Sequence, residues 1–206
     1  MSSLTAIPDG AIAAIVTYLE MLGRAGDQPA KPDADLSLTI VPKPGLAWYR
    51  DLYRRIGEEW LWFARLMMND AQLAAVIHHP NVAVYAVTQA DEEIGILELD
   101  WRHAPECEIA FFGLVPEATS KGIGRWLMGE AQRIAFDEER ATRLWLHTCT
   151  HDHPHALPFY LGQGFRAYKR ELEIAPDPRL TGDLRRDAAS FHPIIGEDFD
   201  LDADQL

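Results

Sequence analysis

Hydrophobic and polar positions follow two periods along the 206-residue chain, one typical of strands and one typical of helices. Strand-forming or alternating segments predict six strands, at 36–41, 82–88, 94–102, 106–115, 143–149 and 165–174. Apolar residues at helical spacing predict four helices, at 46–68 with a bend or break at Gly57, 71–79, 122–138 and 155–163. The three strands between 82 and 115 are joined by short turns, which predicts an antiparallel meander.

Residues 11–21 satisfy both periods. Their apolar residues have helical spacing, yet residues 15–18 are strand formers, and we favour a strand. Residues 23–35 combine Gly and Pro with no apolar period, which predicts a loop. Beyond Pro176 the pattern predicts turns, and the acidic tail at 197–204 is expected to be a solvated, frayed end. Without an internal repeat or a low-complexity linker, one domain is the simplest interpretation.

Composition narrows the class of protein. The net charge of −13 argues against nonspecific nucleic-acid binding, which needs clustered Lys and Arg. No apolar run is long enough for a membrane span, and the first ten residues lack the basic start of a secretory signal. The two cysteines lie inside predicted strands, which fits buried thiols in a reducing setting. We therefore expect a cytoplasmic protein without nucleic-acid or membrane partners.

The stretch from Glu106 to Met128 carries the main chemical signal. It predicts a strand, a loop containing Gly122 and Gly124, and the start of a helix. Glycines let the backbone approach a ligand closely, and the first N–H groups of a helix have no internal acceptor. The helix dipole adds partial positive charge at that end. The stretch therefore predicts an anion-binding loop.

Two motifs in this context resemble the GNAT superfamily, the Gcn5-related N-acetyltransferases. The family's acetyl-CoA loop, Arg/Gln-x-x-Gly-x-Gly/Ala, aligns with residues 119–124, where Thr119 replaces the usual Arg or Gln. A second family pattern, Asn-x-x-Ala followed by Tyr and then Gly-Phe, aligns with residues 153–165. There Ala156, Tyr160 and the Gly-Phe pair match, whereas His153 stands in the place of Asn.

The resemblance implies an α/β (α+β) GNAT fold, with a central mixed, mostly antiparallel twisted sheet flanked by helices. It implies a GNAT domain at 36–176, an N-terminal extension at 1–35 that packs on it, and a C-terminal acidic extension at 177–206. It also implies acetyl-CoA as the acyl donor. The residues expected to contact it are Phe112 and Leu114 through their backbones, with Thr119, Ser120, Lys121, Gly122, Ile123, Gly124, Arg125 and His153.

The resemblance further implies a base for the amine and an acid for the leaving thiolate. Glu108 is the candidate base, because its spacing to Gly122 resembles that of the catalytic Glu in the histone-acetylating branch. Alternation places Glu106, Glu108, Ala110 and Phe112 on one strand face, and a tight turn at 103–105 would set Asp100 opposite Glu108 with Glu98 further along. Tyr160 is the candidate acid. The simpler alternatives are a solvated row of carboxylates and a core tyrosine.

Trp60, Trp62 and Asp100 are the candidate acceptor-binding residues, although aromatic residues at helical spacing are more often core. The histidines at 151–155 come from one segment, and we expect no metal. The sequence thus predicts an acetyl-CoA-dependent N-acetyltransferase that acts by direct attack of a primary amine of a small molecule or peptide, with a possible homodimer. The alternatives are a non-catalytic acyl-CoA-binding or scaffolding module and transfer of a longer acyl group.

Overall fold

The computed structural model describes residues 4–24, 26, 28–137 and 140–196. In these ranges seven strands form one sheet: β1 (Ala11–Met21), β2 (Leu36–Ile40), β3 (Val82–Gln89), β4 (Glu92–Asp100), β5 (Glu106–Leu114), β6 (Arg143–Cys149) and β7 (Arg166–Pro176). Their order across the sheet is β2-β3-β4-β5-β6-β1-β7. Every neighbouring pair is antiparallel except β5 and β6, which are parallel. The predicted mixed, mostly antiparallel sheet is therefore confirmed.

In the described part of the chain, four α-helices flank the sheet: α1 (Leu46–Gly57), α2 (Asp70–Ile77), α3 (Ile123–Phe136) and α4 (Ala156–Gly162). The start of α2 is fixed by Asn69, whose side chain accepts from the backbone N–H of Gln72 in a capping box. The end of α4 is followed by Gly164, which has a φ of 94°. Its positive φ is the backbone conformation that commonly follows a helix and favours glycine.

The predicted helix at 46–68 is wrong beyond Gly57. A single 3-10 turn at Glu58–Trp60 follows, and Leu61 then adopts a left-handed φ of 52°. This reversal brings the Trp62 ring onto Gly57, where any Cβ would collide with the indole. The Trp62 amide also donates to the Gly57 carbonyl, at 3.0 Å. The missing side chain of Gly57 thus allows a tight turn where the apolar period suggests a second helix.

The N-terminal segment forms a strand, as favoured for residues 11–21. β1 lies between β6 and β7, antiparallel to both, and Leu19 in it is fully buried. The predicted N-terminal extension at 1–35 therefore contributes a strand to the interior of the sheet. The predicted domain boundaries stay a prediction. The acidic tail at 197–204 lies outside the described residues.

The helices cover both faces of the sheet. A Cβ at Gly113 of β5 would collide with Ile56 of α1, whereas the neighbouring Phe112 stacks on Phe159 of α4, with ring centroids 5.8 Å apart. Adjacent strand residues point to opposite faces. We call these the α1 face and the α4 face. No helix in the described ranges is both long and apolar enough to cross a bilayer.

Turns follow β7, as predicted beyond Pro176, and a buried arginine holds them together. The Arg179 guanidinium donates to both carboxylate oxygens of Asp177, at 2.9 and 2.7 Å. It also donates to the carbonyl of His192, at 2.8 Å. Phe191 in this segment contacts Trp60 after α1, with ring centroids 6.0 Å apart. The segment up to residue 196 is thereby fixed against the end of the sheet.

Candidate functional site

The parallel strands β5 and β6 separate soon after they meet. Their pairing covers only Glu106–Glu108 against Arg143–Trp145, although β5 continues to Leu114 and β6 to Cys149. We call the opening between the later parts of these strands the gap. On its other side, β5 stays paired with β4. The backbone of β5 along the gap is therefore an unpaired strand edge inside the sheet.

The ladder between β4 and β5 determines which backbone groups face the gap. Val115 donates to Ile94 of β4, at 2.8 Å. In an antiparallel ladder, hydrogen-bonding directions alternate along the strand. Phe112 and Leu114, the two residues predicted to contact the donor through their backbones, therefore direct their N–H and C=O groups into the gap.

Side chains cover the gap on both faces. On the α1 face, the Trp62 indole donates from Nε1 to Oδ1 of Asp152, which follows β6, at 3.0 Å. On the α4 face, the rings of Phe112 and Tyr160 meet edge to face, with centroids 6.2 Å apart. The unpaired strand edge thus lies between two covering contacts. This geometry suits an extended, unbranched ligand that pairs with the backbone.

The loop before α3 lies at the end of β5. Ser120 and Gly122 both have positive φ, 62° and 80°, and Gly122 directly precedes the helix. The N–H groups of Ile123 to Arg125 open the helix and have no acceptor within it. The Ile123 side chain is buried, so only its backbone faces outward. The loop thus presents several convergent backbone donors.

Two cations flank this loop, whereas the first position of the motif is neutral. Lys121 and Arg125 are exposed, and neither forms an ion pair with another residue in the described ranges. The hydroxyl of Thr119 donates to the Pro116 carbonyl, at 2.8 Å, which stabilises the turn. The positive charge at the loop therefore comes from side chains after Thr119 and from the helix start.

Glu108 lies on the α1 face, at the point where the gap begins. Asp100 is its cross-strand neighbour, as the sequence predicted from a tight turn at 103–105. Burial raises the pKa of Glu108 to about 7, and the charge of Asp100 adds to this shift. The His147 imidazole lies 3.8 Å away, and burial lowers its pKa, so it is neutral at pH 7. Glu108 can therefore exchange a proton near neutral pH.

The predicted alternation along β5 is wrong after Glu108. The register between β4 and β5 shifts at Ala110, which has no cross-strand partner. Phe111 therefore shares the face of Glu108, and Phe112 lies on the α4 face. The bulge places one aromatic ring on each side of the strand, next to the gap.

A buried ion pair supports the α1 face, and sequence reasoning did not find it. Arg65 donates to Glu98 at 2.6 Å, and the Tyr49 hydroxyl donates to the other oxygen of Glu98 at 2.5 Å. The Arg65 guanidinium also lies over the Phe111 ring, 4.8 Å from its centroid. The available signal was Glu98 within the apolar run of β4, because a buried carboxylate needs a partner.

Tyr160 lies on the other side of the gap from Glu108, on α4. Burial raises the pKa of its hydroxyl, and the nearby carboxylate of Asp152 raises it further. The phenol is therefore fully protonated at neutral pH. Asp152 itself accepts from Thr148 at 2.6 Å and from the Cys149 amide at 2.9 Å, in addition to Trp62. No motif in the sequence pointed to Asp152.

The other predicted site residues lie in three places. Trp60 packs edge to face on His153, with centroids 4.8 Å apart, at the end of the gap away from Glu108. Trp62 covers the gap itself. Asp100 lies beside Glu108, and its carboxylate accepts from the side chain of Arg102 at 2.7 Å. Within the described residues, no group of three or more His, Cys, Asp or Glu side chains is arranged to hold a metal ion.

Comparisons with known proteins bear on this arrangement. A conserved protein of unknown function from Staphylococcus epidermidis is 18% identical, with a TM-score of 0.56 over 82% of this chain and 63% of that protein. A GCN5-related N-acetyltransferase from Kribbella flavida is 16% identical, with a TM-score of 0.53 over 82% of this chain and 60% of that one. The chain thus spans less than two thirds of either relative. At these identities the likeness concerns the fold alone.

A search of curated protein sequences finds no match. The model of the Acetyltransferase (GNAT) family matches residues 46–165, which is more than half of the chain. This match runs from α1 through the gap and the glycine loop to the end of the second motif. The chain belongs to the GNAT acetyltransferase family.

Proposed function

We propose that the protein is an acetyl-CoA-dependent N-acetyltransferase that acetylates a primary amine by direct attack. The observation that carries the proposal is the gap between β5 and β6, which lies between the glycine loop and Glu108. Acyl transfer has three requirements, and one feature of the site corresponds to each. The features are the unpaired edge of β5, the loop with its backbone N–H donors, and the Glu108 carboxyl of raised pKa. The requirements are to hold the donor, polarise its carbonyl and deprotonate the amine.

Donor binding is assigned to the loop and to the edge of β5. When bound, acetyl-CoA would supply a thioester whose acetyl group is open to nucleophilic attack. The backbone amides from Ser120 to Arg125 bind its pyrophosphate, with Lys121 and Arg125 as nearby cations. The backbones of Phe112 and Leu114 pair with the pantetheine arm as an added strand. One of their N–H groups donates to the thioester oxygen where negative charge develops.

Proton transfer is assigned to Glu108 and Tyr160. An alkylamine is almost wholly protonated at neutral pH, so a base must remove its proton before attack. With a pKa of about 7, the Glu108 carboxylate accepts that proton, directly or through water. The amine nitrogen bonds to the carbonyl carbon as the C–S bond breaks. Tyr160, whose raised pKa keeps its proton in place, then donates to the leaving thiolate. The second proton of the amine nitrogen passes to the resulting phenolate, directly or through water, which leaves a neutral amide and restores Tyr160.

The acceptor is assigned to the α1 face, where Glu108 is accessible. Glu98 and Asp100 are paired with Arg65 and Arg102, whereas Glu108 has no arginine partner in the described residues and favours a cationic amine of a small molecule or peptide. Trp62 borders this region, whereas the position of Trp60 beside His153 suits a contact with the donor end of the gap.

Both cysteines are free thiols, which supports a reducing, cytoplasmic setting.

The test is a screen of amines with acetyl-CoA and a thiol-detecting readout of free CoA. We expect amine-dependent release of CoA, together with a mass increase of one acetyl group on the amine. Tyr160→Phe should lower kcat far more than it weakens donor binding, because the ring and its contacts remain. An unchanged kcat in this variant would remove Tyr160 from the mechanism. Use of longer acyl-CoA donors in the same screen tests the predicted alternative of a longer acyl group.

A second function, acyl-CoA sensing or scaffolding without turnover, is favoured by two substitutions in the motifs. Thr119 uses its hydroxyl to bind Pro116, and His153 accepts from the His155 amide at 3.1 Å while it packs on Trp60. These contacts occupy two side chains expected to contact the donor. Acyl-CoA binding without CoA release across a broad amine panel would support this second function.

A further inference from the structure

An aromatic surface crosses three strands on the α1 face, beside Glu108. Tyr18 of β1 stacks on Trp145 of β6, with ring centroids 6.4 Å apart and ring planes inclined by 28°. Tyr18 also contacts His147 of β6 at 5.7 Å and Tyr168 of β7 at 6.1 Å. We call these four residues the aromatic row. The His147 imidazole lies 3.8 Å from the Glu108 carboxyl, so the row begins at the candidate base.

The aromatic row lies on an open part of the sheet. The helix α1 packs on β4 and β5, which are further along the same face. Leu144 and Leu146, which point to the opposite face of β6, are buried. Trp145 between them is half-buried, and Tyr168 at the edge of the sheet is 44% exposed. Because Tyr and Trp combine a large apolar area with a polar tip, they are enriched at binding surfaces. The exposure of the row therefore indicates a surface for a ligand.

Trp145 has a carboxylate beside it on each neighbouring strand. Its partner on β1 is Glu20, which forms ion pairs with Arg143 and Arg166, both at 2.7 Å. Its partner on β5 is Glu108, which forms no ion pair with an arginine in the part of the chain that the structure describes. A ligand at Trp145 therefore meets one carboxylate whose charge is not matched by an arginine. This arrangement is complementary to a molecule with a single positive charge.

Two rings of the row already bind a cation of the protein. The Lys169 ammonium lies 4.7 Å from the centroid of Tyr18, and the Arg143 guanidinium lies 4.7 Å from that of Tyr168. Among the described residues, Trp145 has no such cation over its ring. Trp145 is therefore the ring of the row best placed for a ligand. A second aromatic ring suits it, because offset-stacked and edge-to-face rings stabilise each other beyond the area that they bury.

We propose that the acceptor is a primary amine joined by a short chain to an aromatic ring. Its ammonium lies at Glu108, and its ring lies on Trp145. This proposal rests on the proposed function and names the substrate class of the same site. A second ammonium in place of the ring would find no unpaired carboxylate on β1, because Glu20 is already paired with two arginines. An aliphatic group in place of the ring would lose the stacking on Trp145.

The first experiment compares three amines in the CoA-release assay: phenylethylamine, cyclohexylethylamine and diaminobutane. The first two have nearly the same size and differ mainly in the aromatic ring. We expect kcat/KM to be about tenfold higher for phenylethylamine than for cyclohexylethylamine, and lower still for diaminobutane. Equal values for the first two, or a higher value for diaminobutane, would overturn this inference and leave the proposed function standing. Absence of CoA release with every amine of the wider screen would overturn both.

The second experiment determines whether Trp145 supplies this preference. Trp145→Leu should abolish it through a higher KM for phenylethylamine, whereas Trp145→Phe should keep most of it because a ring remains. Trp48→Leu is the matched control, since Trp48 is also half-buried but lies on α1, where its indole donates to Glu93 at 2.8 Å. Circular dichroism checks that each variant is folded.

Binding without turnover gives a readout that is independent of catalysis. Calorimetric titration of phenylethylamine into protein saturated with CoA should show an affinity about tenfold weaker in Trp145→Leu than in the wild type. The affinity in Trp48→Leu should equal that of the wild type. A preference for phenylethylamine that survives in Trp145→Leu, or one that Trp48→Leu reduces equally, would overturn the inference.

Discussion

Glu108 combines two conflicting demands at a single residue. Its side chain is 21% exposed, so water and a substrate can reach the carboxyl. It nevertheless lies among buried carboxylates, where the negative charge is poorly solvated, and this raises its pKa to about 7. Asp100 and Glu98 each pair with an arginine, Arg102 and Arg65, whereas Glu108 has no such partner in the described residues. The environment thus gives Glu108 the proton affinity of a base that works near neutral pH.

The first prediction concerns the rate of Glu108→Gln. Glutamine keeps the shape of the side chain but accepts no proton at this pH. We expect kcat/KM to fall by about 10²–10⁴-fold, the usual contribution of a positioned general base. In the wild type, kcat/KM should rise with pH through about 7 as Glu108 loses its proton. This rise should be missing in the variant, and a variant that keeps both the rate and the pH profile excludes Glu108 as the base.

The second prediction concerns the stability of the same variant. The folded pKa of about 7 lies above the reference value of 4.5, so the folded state holds this proton more tightly than the unfolded state does. The resulting stabilisation is complete below pH 4.5 and is lost as pH rises through 7. Glu108→Gln should therefore raise the free energy of unfolding at pH 8 by up to about 3 kcal/mol, and by little at pH 4. Urea denaturation at both pH values measures this difference.

At the scale of elements, the proposed donor site depends on the junction of β5, the glycine loop and α3. Gly122 has a φ of 80°, which disfavours residues with a Cβ, and it directly precedes the first amides of α3. Pro32 lies near this position, 3.8 Å from where a Cβ would be, so an alanine fits without collision. The cost of a side chain at Gly122 therefore comes from the backbone conformation.

The third prediction compares Gly122→Ala with Gly182→Ala. The two glycines have φ values of 80° and 82°, and neither has a tight contact for an added Cβ. Both variants should lose about 1–2 kcal/mol of stability from backbone strain. Only Gly122→Ala should weaken acetyl-CoA binding, by about tenfold, because only there does the strain move amides that we assign to the pyrophosphate. Equal affinities in the two variants, measured by calorimetry, would remove the loop from the donor site.

Sequence reasoning succeeded at this scale where the signal was local. The helical period located α2, Gly57 marked a break, and Gly122 and Gly124 marked the loop before α3. The bulge at Ala110 could not be predicted, because it depends on how β5 pairs with β4 rather than on β5 alone. For the same reason, the contact between Trp62 and Asp152 was missed, since it joins residues 90 positions apart through the left-handed turn at Leu61.

At the scale of the whole molecule, the N-terminal strand β1 connects segments that lie far apart in the sequence. β1 lies between β6 and β7, and the Ile15 amide donates to the hydroxyl of Thr150, 135 positions later. The sequence indicated a strand at 11–21 but not its neighbours, because pairing between distant segments leaves no local pattern. Among the described residues, the order of the sheet means that β7 is attached to the other strands through β1 alone.

The fourth prediction follows from the position of β1. Deletion of residues 1–21 should abolish cooperative thermal unfolding, because it removes a strand from inside the sheet and leaves β7 without its strand partner. Deletion of residues 2–7, which precede β1, should keep the transition. Circular dichroism melting curves distinguish the two. A cooperative transition in the longer deletion would show that the sheet does not need β1.

The central claim is that the gap between β5 and β6 holds acetyl-CoA. Calorimetric titration of the wild-type protein with acetyl-CoA tests it most directly, with Gly182→Ala as the control and Gly122→Ala as the weakened variant. The account predicts one molecule bound per chain, the same affinity in the control, and weaker binding in Gly122→Ala. Absence of binding at millimolar acetyl-CoA in the folded wild type would contradict it.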